Sequence, residues 1–120
     1  MKMPISEIID RYTITQLKSE RTNENVIEEL STYQNELKAY NADLKIYISR
    51  MYDINGKIWD TESDIRKGTK LPLEEIGRLA LIVRDLNCER NAIKAEIVDH
   101  FAEGFKEIKI NYKKVDYGQN

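Results

Sequence analysis

The fold is decided by residues 26–65, which read VIEELSTYQNELKAYNADLKIYISRMYDINGKIWDTESDI. Apolar and tyrosine side chains recur in this stretch at alternating steps of three and four residues. The recurring positions are Leu30, Tyr33, Leu37, Tyr40, Leu44, Tyr47, Met51, Ile54 and Ile58. Consecutive heptads of this kind are typical of a coiled-coil helix. The pattern therefore predicts one very long central helix over about residues 25–66, spanning about 63 Å.

Asn55-Gly56 is the place in this stretch where the sequence also favours a turn. Met51, Ile54 and Ile58 nevertheless stay in phase across the dipeptide, and a turn would give no reason for the phase to continue. We therefore expect the helix to pass through Gly56. The alternative is a helix broken at Gly56, which would produce a compact monomer.

Two further helices are expected, one on each side of the long one. Pro4 and Ser6 favour a helix start near the beginning of the chain. Gly68 and Pro72 are typical of a helix end, and a third helix is expected from about Leu73 onward. The sequence therefore predicts an all-α, three-helix antiparallel bundle.

The C-terminal tail has a different period. Apolar and polar residues alternate over residues 107–113, which predicts a short strand or an extended arm. We accordingly expect a single helical domain over residues 1–106 and a partly disordered arm over residues 107–120.

Composition limits the classes of function. The chain has 19 basic and 21 acidic residues and a formal net charge of -2, a balance that gives no general attraction to nucleic acid or to anionic membranes. Cys88 is the only cysteine, so an internal disulfide and a cysteine-based zinc cluster are excluded. No apolar run approaches the roughly 20 residues that cross a bilayer. We expect a cytoplasmic protein with no cofactor, no bound metal, and neither a membrane nor a nucleic acid as its partner.

The expected architecture leaves part of the molecule uncovered. The first helix is too short to cover more than half of the long one, so residues 48–85 would form a bare two-helix hairpin. That hairpin carries Ile48, Trp59, Leu81 and Ile82, and an exposed apolar patch usually marks an interface. The sequence therefore predicts a homodimer or higher homo-oligomer, or a contact with another protein, with Trp59 among the binding residues.

Arg90 lies at the centre of the third helix's apolar stripe, with Asn87 beside it. A buried guanidinium needs an acid, and Asp10, near Ile14 and Leu17, is the natural candidate. One interpretation is a buried Asp10–Arg90 ion pair that fixes the register of the helices. The other is a binding site in which Arg90 presents its fork to a phosphate or another anion.

Paired carboxylates suggest a different chemistry. Glu7 and Asp10, and likewise Glu96 and Asp99, are three residues apart and could hold Mg²⁺ for phosphate hydrolysis. This alternative is a metal-dependent, all-α nucleotide phosphohydrolase. Metal-binding bundles of this kind use Glu-x-x-His on two helices, whereas His100 is the single histidine and follows Glu96 at four residues instead of three. No catalytic residue is therefore assigned, and we favour a non-enzymatic binding or scaffold protein.

Three stretches together resemble an uncharacterised family of short helical proteins from bacteria and their phages, catalogued as a domain of unknown function. They are residues 5–18, residues 58–66 and residues 86–97. The resemblance implies that Asp10, Trp59, Asn87 and Arg90 are recurring positions. Some members are similar to products encoded near sugar-transfer and surface-polysaccharide genes. This implies a further alternative, an accessory module for nucleic acid or polysaccharide metabolism.

Overall fold

The computed structural model describes residues 3–40, 43–67 and 70–101, and these residues form four helices and no strand. The helices are α1 (Ile5–Arg21), α2 (Ile27–Lys38), α3 (Lys45–Lys67) and α4 (Leu73–Phe101). The all-α class is therefore confirmed. The strand predicted at 107–113 and the arm over 107–120 lie outside the described residues.

The first helix begins after the expected Pro4, and hydrogen bonds are formed at both of its ends. The carbonyl of Pro4 accepts hydrogen bonds from the backbone N–H groups of Glu7 and Ile8, at 3.0 and 3.1 Å. At the other end, both the backbone N–H and the hydroxyl of Thr22 donate to the carbonyl of Lys18. These bonds satisfy backbone groups that a helix end leaves without partners.

The prediction of one continuous helix over residues 25–66 is wrong, because α2 ends at Lys38 and α3 begins at Lys45. The last turn of α2 tightens, with the N–H of Ala39 donating to the carbonyl of Glu36 at 3.2 Å. Asp43 then caps the next helix, since its carboxylate accepts a hydrogen bond from the N–H of Lys45 at 3.0 Å. The chain consequently has four helices instead of the predicted three.

The heptad pattern concealed this break because both helices bury the same stripe. Leu37 before the break, Leu44 within it and Met51 after it all belong to one hydrophobic core cluster. The spacing of apolar residues reports which side chains are buried, and here the same side chains are buried although the helix axis changes. The break allows α2 to pack against α1.

The expectation that the helix passes through Gly56 is confirmed. Gly56 lies in the middle of α3, is buried, and faces α1. A Cβ placed at Gly56 would lie 3.6 Å from Nη2 of Arg21 and 3.9 Å from Cδ2 of Leu17. A methyl group at this position would therefore make ordinary van der Waals contacts with α1.

Packing is dense at one end of the molecule and sparse at the other. α1 contacts the other three helices, and the core around it includes Ile9, Met51 and Ile97, all at 0% exposure. α3 and α4 run antiparallel and extend past this core. Ile58 is the last buried residue of α3, and Leu79 is the only buried residue of α4 before Ile93.

We call residues 59–67 of α3 and 73–86 of α4 the distal hairpin. Within the described ranges, no helix has both the length and the apolar character needed to span a membrane.

Candidate functional site

Asp10 lies in the interior and belongs to a polar network between α1 and α3. The side-chain amide of Asn55 donates to Oδ1 of Asp10 at 2.9 Å and to Oγ1 of Thr13 at 3.0 Å. The hydroxyl of Thr13 donates in turn to the backbone carbonyl of Asp10 at 2.8 Å. All three residues are buried. Because buried polar groups are costly when they lack partners, this network fixes the position of α1 on α3.

Lys94 links the same region to α4. Its Nζ lies 2.8 Å from Oε2 of Glu7 and 3.7 Å from Oδ2 of Asp10. The hydrogen bond from Lys94 lowers the pKa of Glu7 below its ordinary value, while burial of Glu7 acts in the opposite direction. Arg11, 3.6 Å from Glu7, adds to the lowering. The single cation of Lys94 is thus shared between two carboxylates at the α1–α4 contact.

The structure does not form the ion pair between Asp10 and Arg90. Asp10 is held by Asn55 and Lys94, as its hydrogen bond and ion pair show. Arg90 makes no ion pair or side-chain hydrogen bond to any described residue, and its Nε is buried without an acceptor. Helical spacing puts both residues on apolar stripes of their helices. It could not determine which residues lie at the same level along the helices.

The four predicted binding residues lie on three helices. Asp10 is buried on α1, Trp59 is half-buried on α3, and Asn87 and Arg90 are half-buried one turn apart on α4. Among the described residues, no hydrogen bond or ion pair joins any two of the four.

The distal hairpin presents a shallow groove between its two helices. The groove measures about 260 Å³ and is lined by Glu62, Ile65, Arg66, Ala80 and Val83. Ile65 and Val83 are half-buried, and the other three residues are exposed. An apolar floor with one acid and one base at its edge is typical of a protein interface.

Neither carboxylate pair is free to receive a metal ion in the way the alternative function requires. Lys94 occupies the position between Glu7 and Asp10 that a cation would take. Arg50 holds Glu96 through two hydrogen bonds, at 3.0 and 2.6 Å, and they keep the pKa of Glu96 below its usual range. Among the described residues, no group of three or more potential metal-binding side chains occurs.

The aromatic residues near the end of α4 pack against one another. The ring of His100 lies 4.8 Å from that of Phe101 and 5.5 Å from that of Tyr47. Tyr33, Tyr40 and Tyr47 are half-buried against the core. These three tyrosines, which occupy positions of the heptad pattern, therefore pack against the core.

Sequence reasoning missed Asn55 and Lys94, which complete the polar network of Asp10. Asn55 was considered only as half of an Asn-Gly turn signal, although it is adjacent to the core position Ile54. Lys94 follows the core position Ile93, and a lysine beside a core position usually reaches solvent. Its spacing of four residues from Arg90 places both cations on one face of α4.

Comparison with protein-family models, with curated proteins and with solved structures finds no match to this chain. The family resemblance described above therefore stays a prediction.

Proposed function

We propose that this chain is a non-enzymatic, helical binding protein that assembles as a homodimer through the distal hairpin. The observation that carries the proposal is the scarcity of buried side chains there. Over residues 59–67 and 73–86 only Leu79 is buried, although this region contains Trp59, Ile65, Val83 and Leu86. Half-covered apolar side chains on an antiparallel pair of helices are stabilised when a second pair covers them.

The charges at the groove favour a second copy of the same chain as the occupant. Glu62 and Arg66 are exposed, flank Ile65 and lie on one face of α3. No ion pair joins them within the described part of the chain. In a symmetric dimer the same patch meets itself across a two-fold axis. An axis close to residue 64, with the two α3 helices antiparallel, sets Glu62 of one copy against Arg66 of the other.

Exposed leucine extends the apolar surface beyond the groove. Leu81 is 53% exposed and Leu73 is 86% exposed on α4. A second groove between α3 and α4 lies nearer the N-terminal end of α3. It is lined mainly by charged side chains, including Arg50 and Glu96, which already pair with each other. The distal hairpin is therefore the better interface of the two.

The experiment compares two substitutions of the same kind on α4. Ala80 is exposed in the groove, and Ala95 is exposed outside the distal hairpin. Because neither side chain is buried, Ala80→Glu and Ala95→Glu should leave the folded monomer intact. Sedimentation velocity should give a dimer for the wild type and for Ala95→Glu and a monomer for Ala80→Glu. A monomeric wild type would exclude the homodimer.

The phosphohydrolase alternative gains no support at the residues on which it depended. An ammonium group between Glu7 and Asp10 lowers the affinity of that pair for a divalent cation, because two cations would compete for the same oxygens.

The accessory role in nucleic acid or polysaccharide metabolism stays a prediction, since no contact described above favours it.

A further inference from the structure

Arg90 differs from every other arginine that the structure describes. It is the single described arginine whose guanidinium has neither an ion pair nor a side-chain hydrogen bond. The arginines with such partners are Arg11, Arg21, Arg50, Arg66, Arg78 and Arg84. Several of these are more exposed than Arg90, which is half-buried. Arg90 thus has no counter-charge among the residues that the structure describes, and its Nε is buried without an acceptor.

The fold forces Arg90 into this position. It follows Leu79, Val83 and Leu86 and precedes Ile93 at alternating steps of four and three residues, which is the stripe that α4 directs toward the rest of the bundle. Nε of Arg90 is accordingly covered by the protein and has no acceptor. Covering part of a charged guanidinium is unfavourable unless an acceptor and a negative charge are supplied.

The two carboxylates at the α1–α4 contact have other partners. Oδ1 of Asp10 accepts a hydrogen bond from Asn55, and Lys94 lies close to Oδ2 of Asp10 and to Oε2 of Glu7. Lys94 and Arg90 are four residues apart on one face of α4. Lys94, and not Arg90, pairs with these acids, and no ion pair joins Arg90 to any acid that the structure describes.

We infer that Arg90 is the principal ligand of a binding site for a small oxyanion, either a phosphate or a carboxylate group. The guanidinium fork suits both, since each offers two oxygens in the spacing of parallel N–H donors. Asn87, three residues before Arg90 on the same face and half-buried, adds an amide donor. The site is separate from the groove of the distal hairpin, so the monomeric Ala80→Glu protein binds the anion as the wild type does.

The test follows the Nε–H signal of Arg90 by nitrogen-15 NMR of the full chain at constant ionic strength. Inorganic phosphate is added in one titration and acetate in another, and Arg90→Lys identifies the signal by its loss. The Arg90 signal should shift saturably, with a dissociation constant of about 10 mM or tighter for at least one anion. The signal of Arg84, which pairs with Asp85 on the same helix, should not follow it.

The two titrations also separate the sources of the anion. Saturation by phosphate alone assigns a phosphate group, and saturation by acetate alone assigns a carboxylate group.

Asn87→Ala should weaken the binding about fivefold, as expected for one lost hydrogen bond, whereas Asn91→Ala, at an exposed residue on another face, should not. Absence of a saturable shift with both anions up to about 50 mM would overturn the inference.

Discussion

The side-chain amide of Asn55 lies 2.9 Å from the carboxylate of Asp10, and this hydrogen bond joins α3 to α1 inside the molecule. The same amide also reaches Thr13, and Lys94 approaches Asp10 from α4. Polar groups from three helices thus meet near one carboxylate. Such a contact specifies how the helices are arranged, because other arrangements would leave the carboxylate without partners.

Replacing Asn55 should destabilise the fold. In Asn55→Ala the carboxylate of Asp10 loses its closest donor, which should cost about 1–3 kcal/mol of unfolding free energy. Asn91→Ala, at an exposed residue of α4, should change it by less than about 0.5 kcal/mol. Urea denaturation of the three proteins provides the measurement. Equal small effects at both positions would show that the buried network does not stabilise this fold.

The ion pair of Glu7 predicts how stability depends on pH. Lys94 lowers the pKa of Glu7 in the folded state below the ordinary value of 4.5. The pair therefore contributes stability above that pH, and the contribution is lost as the pH falls through the folded-state pKa. Unfolding free energies of the wild type and of Glu7→Gln should differ most near neutral pH and converge in acid.

The control for this pH profile is Glu74→Gln, at an exposed glutamate without an ion pair in the described chain. Its difference from the wild type should stay small at every pH. If the difference between Glu7→Gln and the wild type were the same at neutral and acid pH, the pairing of Glu7 with Lys94 would be contradicted.

Gly56 provides a test of the helix through Asn55-Gly56. A Cβ at this position meets its neighbours at 3.6 and 3.9 Å, which are ordinary contacts, and a Cβ at Gly77 meets nothing within 4 Å. Both Gly56→Ala and Gly77→Ala should therefore stabilise the protein by about 0.5–1 kcal/mol through higher helix propensity.

A larger side chain at the same position should have the opposite effect. Gly56→Leu would push α1 away from α3 and should cost about 1–3 kcal/mol, as measured by thermal or urea unfolding. Strong destabilisation by Gly56→Ala itself would instead indicate a turn at this dipeptide and would contradict the continuous α3.

The proposed interface predicts a charge-swap experiment. Glu62→Arg places like charges across the two-fold axis near residue 64, and Arg66→Glu does the same with the opposite sign, so each should weaken the dimer. The double substitution restores opposite charges and should recover dimerisation. Sedimentation equilibrium measures the dissociation constants. Both residues are exposed, so the substitutions should not change the stability of the folded monomer. If the double variant dimerised no more tightly than the single variants, Glu62 and Arg66 would not face each other across the interface.

Much of the helical structure follows from the order of residues. The helix start at Pro4 and the helix end before Leu73 were predictable, because capping and breaking signals act locally. The break between Lys38 and Lys45 was not, since Leu37, Leu44 and Met51 keep their phase across it. Asn41 and Asp43 favour turns and caps, but the prediction rested on the unbroken heptad alone.

The residues of the candidate sites were predictable, but their contacts were not. Helical spacing identifies Asp10 and Arg90 as polar residues on apolar stripes. Their true neighbours depend on how far each helix is displaced along its axis, which helical spacing does not report. The sequence therefore suggested an acid for Arg90, whereas the structure gives that acid to Asn55 and Lys94.

The self-association of the distal hairpin is tested most directly by the molar mass of the wild-type chain in solution. Static light scattering across a range of protein concentrations should give twice the 14.1 kDa of one chain, decreasing toward that value only on dilution. A mass of 14.1 kDa at every concentration would mean that the half-covered surface around Ile65 and Val83 is stable alone, and the proposed homodimer would be wrong.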